Sequence, residues 1–338
     1  MKKVKHARIF QAVFSFLMLC LAAGCIIGSP GTALSKDETV RYRLKWLFNA
    51  SVVGDLYADA KGFFKEAGLS VEVKAGGPER DAIKELELGQ AEFGVASADQ
   101  IIRALAKGAP VVAIAQLFQI NPLQWMYRAD APPIEKIADL KGRILGVTFG
   151  GNDETVLRTL LAMGNLTEKD VTLFSVRYDY TPFYQKKVDI WPVYRNSQAV
   201  FLGRKLQSEG EPIRFFDPNA YGVKFVSNSV VTSRQVVEKQ PGLVKTFSTA
   251  LLKGWEAALD PANHETALAL LKEYDKDTAP EDLSEQLRIT REMVKPSAAV
   301  RIGAMDTPAW EQTETIMLEQ KQIEKPVRIT QAIYTPTN

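Results

Sequence analysis

Aromatic and short polar side chains gather where short apolar runs end, a pattern suited to noncovalent capture of a flat molecule. Trp46 and Asn49 follow the alternating run 42–47. An indole offers area, polarisability and one N–H donor, while a carboxamide offers a donor and an acceptor. Ser97 follows the apolar run 93–96 and precedes Asp99, at a position where open α/β sheets place ligands. Its hydroxyl could donate to a carbonyl or oxyanion, and Asp99 could cap the helix that starts there. Gly150 and Asn152 lie in the turn Phe149-Gly150-Gly151-Asn152-Asp153, where glycines let backbone amides approach a ligand. Asp153 and Glu154 would repel a phosphate there, so a neutral or zwitterionic ligand is expected. The stretch 178–221 adds Tyr178, Tyr180, Phe183, Tyr184, Trp191, Tyr194 and Tyr221, with Asn196 able to read a ring edge. Trp191 and Tyr194 rank highest because they follow a short strand at 188–190. Tyr57, on an early helix, and Phe118 with Gln119, just beyond a lobe-one strand, complete the candidate set. Arg177 and Arg195 could meet an acid on the ligand, though ion pairing or solvation is the plainer role for each. Every one of these aromatic residues could equally serve ordinary packing.

The residues most enzymes need are scarce. The only cysteines are Cys20 and Cys25 and the only histidines His6 and His264, which leaves no disulfide framework, no zinc cluster and no histidine-based triad. Neither Asp153 with Glu154 nor Asp179 with Asp189 has the spacing of a converging carboxylate pair. The glycine turn lacks the Lys-Ser/Thr ending of a phosphate loop. No cofactor, metal or catalytic residue is expected.

Lys2, Lys3, Lys5 and Arg8 precede an apolar run at 12–27, the pattern of an export leader. Gly31-Thr32-Ala33 offers a cleavage site, and Leu21-Ala22-Ala23-Gly24-Cys25 resembles a bacterial lipoprotein box. A leader at 1–33 is therefore expected, with lipidation at Cys25 as an alternative processing. Removing it leaves 38 basic against 40 acidic residues, a formal charge of −2, so nothing points to nucleic acid.

Strand and helix patterns alternate along the rest of the chain. Strands are expected at 42–47, 69–73, 93–96, 111–115, 144–147, 171–176, 188–190, 213–216 and 226–231, with helices between them and a helical remainder in which Pro241, Pro261, Pro280 and Pro308 lie near helix starts. This order favours mostly parallel sheets with helices on both faces. Asn121-Pro122 reads as a turn at a lobe boundary. Lobe 1 is expected at 37–125 and 228–338 and lobe 2 at 126–227, with a ligand cleft between them. No internal repeat is evident.

Trp46-Leu47-Phe48-Asn49, Gly62-Phe63-Phe64-Lys65-Glu66-Ala67-Gly68-Leu69, Gly89-Gln90-Ala91-Glu92-Phe93-Gly94-Val95-Ala96 and Asp139-Leu140-Lys141-Gly142-Arg143, in this order and spacing, resemble the solute-binding proteins of bacterial ABC importers. The resemblance is to the NMT1/THI5-like branch that binds thiamine precursors and riboflavin. It implies the two-lobed periplasmic-binding-protein fold (type II). It further implies capture of a small flat heterocycle outside the cytoplasm and delivery to a membrane permease and its ATPase, by a monomer that is not an enzyme. The resemblance makes the region of Trp46 and Asn49 the first ligand loop, Ser97 a lobe-one loop and 150–153 a lobe-two loop. Pyrimidine-binding relatives often place a histidine shortly after that asparagine, whereas Asn49 is followed here by Ala50-Ser51-Val52-Val53. A binding protein for an alkanesulfonate, taurine or another organic acid is the alternative. An exported carboxylate-dependent enzyme and a sensory binding protein are more distant readings.

Overall fold

In Val40–Arg43 the buried valine and tyrosine alternate with a half-buried arginine, which makes an edge-proximal strand with one face in the core. The computed structural model describes residues 39–77, 80–177 and 179–334; the leader, Cys25 and Tyr178 lie outside them. From this first strand, β1 (Val40–Arg43), the chain runs through α1 (Val53–Ala60), α2 (Phe63–Glu66), β2 (Val71–Lys74), α3 (Ala82–Glu87), β3 (Phe93–Ala96), α4 (Ala98–Ala106) and β4 (Val111–Gln116). It then makes β5 (Leu123–Arg128), β6 (Ile144–Val147), α5 (Asn152–Met163), β7 (Thr172–Ser175), α6 (Thr181–Tyr184), β8 (Ile190–Tyr194), α7 (Gln198–Ser208) and β9 (Ile213–Phe216). The return is β10 (Ser229–Ser233), followed by α8 (Arg234–Lys239), α9 (Pro241–Leu259), α10 (His264–Tyr274), α11 (Pro280–Val294) and α12 (Thr307–Glu319).

The strands form two five-stranded sheets, ordered β2-β1-β3-β10-β4 and β7-β6-β8-β5-β9. β1 pairs in parallel with β2 and β3, whereas β10 is antiparallel to both β3 and β4. β6 pairs in parallel with β7 and β8, and β5 is antiparallel to both β8 and β9. Four strands of each sheet therefore run one way, the mostly parallel arrangement expected, and one is reversed, which makes each sheet mixed. The reversed strand is in each case the first after a crossing: β5 leaves the first sheet for the second, and β10 returns. The two sheets have the same strand order, with β5 and β10 exchanged between them.

Sequence reading overlooked β5. All six of its residues are buried, with Leu123, Trp125 and Tyr127 in one core and Met126 in another, so it lacks the polar alternation of a half-exposed strand. The lobe boundary expected after residue 125 falls inside it. The strand expected at 188–190 is instead Ile190–Tyr194, which places Trp191 and Tyr194 within a strand rather than after one. Pro192 lacks the N–H needed for a second ladder, and β8 pairs with β6 only at Leu145↔Ile190.

Packing in the first half centres on α9. Phe247 stacks on Phe93 with ring centroids 3.8 Å apart and meets Tyr42 edge-on at 5.1 Å. α9 also lies unusually close to α1: a Cβ on Gly54 would sit 2.0 Å from the Trp255 ring, and one on Gly254 2.4 Å from Ala58. Between these helices Asp55 accepts from Tyr42 Oη at 2.6 Å and Trp255 Nε1 at 3.3 Å. Burial pushes the Asp55 carboxyl up to about 7.

Candidate functional site

A cavity of about 510 Å³ lies between the two sheets, within the roughly 300–1,000 Å³ typical of small-molecule sites. Its lining follows directly from strand direction. Lys45, Trp46, Asn49 and Ser51 follow β1, Ser97 and Gln100 follow β3, residues 148–153 follow β6, and Val176, Arg177 and Tyr180 follow β7. Residues 191–194 belong to β8 and Ser197 and Gln198 follow it, while Leu123 and Asn228 stand at the starts of the reversed strands. Every part of the wall thus comes from the same end of its sheet, the carboxyl end of the co-directional strands.

On the first side, Gly76 N donates to Trp46 O at 2.8 Å. A Cβ on Gly76 would meet Leu44 O at 2.1 Å, so this residue must be small for the loop carrying Trp46 to lie as it does. Asn49 caps the following turn, its Oδ1 accepting from Ser51 N at 2.8 Å. Ser97 and Gln100 form a capping box on α4: Gln100 Oε1 accepts from Ser97 N at 3.1 Å and from Ser97 Oγ at 3.0 Å. Ser97 Oγ also lies 2.5 Å from Asp99 Oδ1, and Asp99 is buried in an ion pair with Arg103.

On the second side, Gly150 takes a φ of +82° at the turn into α5, a conformation that favours glycine. The acids expected to repel an anion are turned back onto the loop: Asp153 Oδ2 accepts from Thr148 N and Glu154 Oε2 from Gly150 N, each at 2.6 Å. These amides are therefore engaged within the chain, contrary to an anion cradle of loop backbone. Burial pushes the Asp153 carboxyl up to about 6. Tyr194 joins the two sides, since its Oη donates to Asn152 Oδ1 at 3.2 Å and accepts from Lys45 Nζ at 3.3 Å. The ammonium lies 5.7 Å from the centre of the same ring. Beyond the cavity, Gln322 Oε1 accepts from Thr155 Oγ1 at 2.8 Å and Arg103 Nη1 at 2.9 Å, tying α5 to α4.

Trp46, Asn49, Ser97, Gly150, Asn152, Trp191 and Tyr194, all read from the sequence, meet in this wall. Five other candidates lie outside it. Tyr57 is buried in α1 with its ring 6.4 Å from that of Phe63, and Phe118 meets Trp255 edge-on at 6.5 Å. Gln119 Nε2 donates to Gln116 O and Ala304 O, each at 3.0 Å. Asn196 Nδ2 donates to Ser51 Oγ at 3.1 Å and Thr290 Oγ1 at 2.9 Å, so it joins the lobes behind the wall. Tyr221 Oη donates to Glu135 O at 3.0 Å. Arg177 does line the cavity, whereas Arg195 lies 3.6 Å from Glu292. Sequence reading missed Lys45, Ser51, Gln100, Gln198 and Asn228. The Ser97-x-x-Gln100 spacing is a capping signature that would have pointed to Gln100; the others carry no local signal.

A family model described as NMT1/THI5 like matches residues 49–264. The chain belongs to the NMT1/THI5-like family. A formylaminopyrimidine-binding protein of Halalkalibacterium halodurans is 26% identical over 325 residues, covering 93% of this chain and 96% of that one. A Haemophilus influenzae protein provisionally named a thiamine biosynthesis protein is 26% identical over 279 residues, covering 79% of this chain and 85% of its own. Among solved structures, the periplasmic aliphatic sulphonate binding protein of Escherichia coli superposes with a TM-score of 0.70 at 19% identity, covering 89% of this chain and 93% of that one. That likeness concerns the fold: this NMT1/THI5-like chain has the two-lobed architecture of periplasmic binding proteins. Among the described residues no helix is long and apolar enough to cross a membrane, and no acidic, histidine or cysteine group is arranged to hold a metal ion.

Proposed function

We propose that the protein is the solute-binding component of an ABC importer, capturing a small flat heterocycle outside the cytoplasm and presenting it to a permease driven by a partner ATPase. The observation that carries this reading is the cavity between the two sheets, to which Trp46 comes from one side and Trp191, Tyr194 and Tyr180 from the other. Aromatic faces on both sides suit a planar ring. Family membership and the pyrimidine named for the Halalkalibacterium relative support the choice of ligand class. Asn49 and Asn152 supply polar contacts at the ring edge, and the closed arrangement of the lobes is favoured because only it completes both half-sites.

A thermal-shift screen against pyrimidines, flavins, purines, amino acids and sulfonates tests this. Stabilisation by a flat heterocycle, lost in Trp46→Ala, is the expected result. Stabilisation by no heterocycle, or stabilisation indifferent to Trp46→Ala, would sink it. The second reading, a binding protein for an alkanesulfonate, taurine or other organic acid, is favoured by Lys45 and Arg177 in the wall.

A further inference from the structure

The polar part of the wall is almost wholly a donor surface. Asn49 Oδ1 accepts from Ser51 N at 2.8 Å, Gln100 Oε1 from Ser97 N at 3.1 Å, and Gln198 Oε1 from Tyr194 N at 3.0 Å. A backbone N–H can only donate, so each of these carboxamides must use its oxygen within the chain and keep its NH₂ in reserve. Asn152 Oδ1 is likewise taken by Tyr194 Oη at 3.2 Å and Asn228 Oδ1 by Ser227 Oγ at 3.4 Å. None of the five NH₂ groups donates to another described residue, and Asn152 Nδ2 is buried without a partner. Such a donor is costly to leave unmet.

Two cations add to this surface. Lys45 Nζ has Tyr194 Oη as its hydrogen-bond partner, and neither Lys45 nor Arg177 is within salt-bridge distance of a carboxylate among the described residues. The single carboxyl among the described wall residues, Asp153, already accepts from Thr148 N. An amino-substituted ring would find Asp153 and a few hydroxyls for its N–H groups and leave the amide donors unmatched. An anionic oxygen group matches them, through charge-assisted bonds about twice as strong as neutral ones.

We propose that the cavity selects a planar ring bearing an anionic oxygen group, a carboxylate or a sulfonate, over the same ring bearing an amide or amine, with Lys45 and Asn152 as the specificity-determining residues. This rests on the solute-binding reading above and narrows its ligand class. The test is calorimetric titration of the purified full chain at neutral pH with nicotinate, pyridine-3-sulfonate, nicotinamide, 3-aminopyridine and ethanesulfonate. Both ring acids are expected to bind about tenfold or more tightly than both neutral rings. Lys45→Met is expected to weaken the acids about tenfold and bring the preference within about threefold; Arg177→Gln, at an exposed position, is the second variant should Lys45→Met fail to fold. Neutral rings binding as well as the acids would overturn acid selection while leaving the binding-protein reading intact. Binding of ethanesulfonate alone would overturn the ring requirement and with it the proposal, and binding of no probe would count against both readings.

Discussion

The two lobes share one strand order but reinforce it differently. In the first, the strand ends bear on a long helix, α9, and two of the close approaches are helix to helix: Gly54 under Trp255, and Gly254 on Ala58. In the second, one close approach is between strands, where a Cβ on Gly146 would come 3.0 Å from Pro192 and 3.1 Å from Val176. The same contrast reaches the cavity. The first lobe presents Trp46 from a half-buried loop, whereas the second presents Trp191 from inside a strand with 1% of its surface exposed. One architecture can thus bring one ring to the cavity from a loop and another from the core. The second ring also packs in the hydrophobic core of its lobe.

The largest expected effect breaks that pairing. Trp191→Ala should cost about 3–5 kcal/mol of ligand-free stability, as large core truncations do, and Trp46→Ala about 1 kcal/mol or less, since half-buried surface sites tolerate change. Urea unfolding of both variants measures the difference; equal losses would contradict the assignment of the two rings to core and loop. Next, Gly54→Ala should cost about 2–3 kcal/mol by driving a methyl into the Trp255 ring, and Gly146→Ala about 1 kcal/mol, because its neighbours need yield only a few tenths of an ångström. A reversed order would show that α1 and α9 can separate without loss.

Asp55, buried between α1 and α9, gives the first lobe a dependence of its own on pH. Its carboxyl binds a proton up to about 7 in the folded protein but only to about 4 when unfolded. Between those values the native state holds more protons, so this group's contribution to stability falls as pH rises through the window and is fully lost above the folded value. Asp55→Asn keeps the oxygen that accepts from Tyr42 and Trp255. Relative to it, the wild type should lose on the order of 2 kcal/mol on going from mildly acidic to mildly alkaline pH. Denaturation at the two pH values reads this directly, and a pH-independent difference would refute it. The smallest effect belongs to the tie between lobes: Gln322→Ala, removing an acceptor shared by Thr155 and Arg103, should weaken ligand binding about threefold, the scale of one net hydrogen bond. Unchanged affinity would mean the tie does not bias closure.

The parts of the fold legible in the sequence are those where one strand face meets solvent or one apolar run ends at a turn. β1, β3, β6 and β9 carry such signals, and the wall residues that directly follow the first three, Trp46, Ser97, Gly150 and Asn152, were found with them. β5 was not, because it is buried on both faces and so lacks alternation, while Gln124 and Arg128 interrupt the apolar run that marks β3, and the lobe boundary slipped into it. The common strand order of the lobes is equally silent in sequence, since it lies in the exchange of β5 and β10 and not in any repeated residues. Tyr57, Phe118 and Tyr221 show the limit of composition: an aromatic side chain reads alike whether it lines a cavity or packs against Phe63, Trp255 or Phe216. Lys45 was passed over and Arg177 left open between ligand and ion pair, because pairing depends on distant segments; among the described residues neither has a carboxylate within salt-bridge distance.

The most direct test of a ring held between the two lobes is the crystal structure of the complex with the tightest ligand from the screen. The account predicts the ring in van der Waals contact with Trp46 from one lobe and with Trp191 or Tyr194 from the other. A ligand seated outside this cavity, or touching one lobe only, would contradict it.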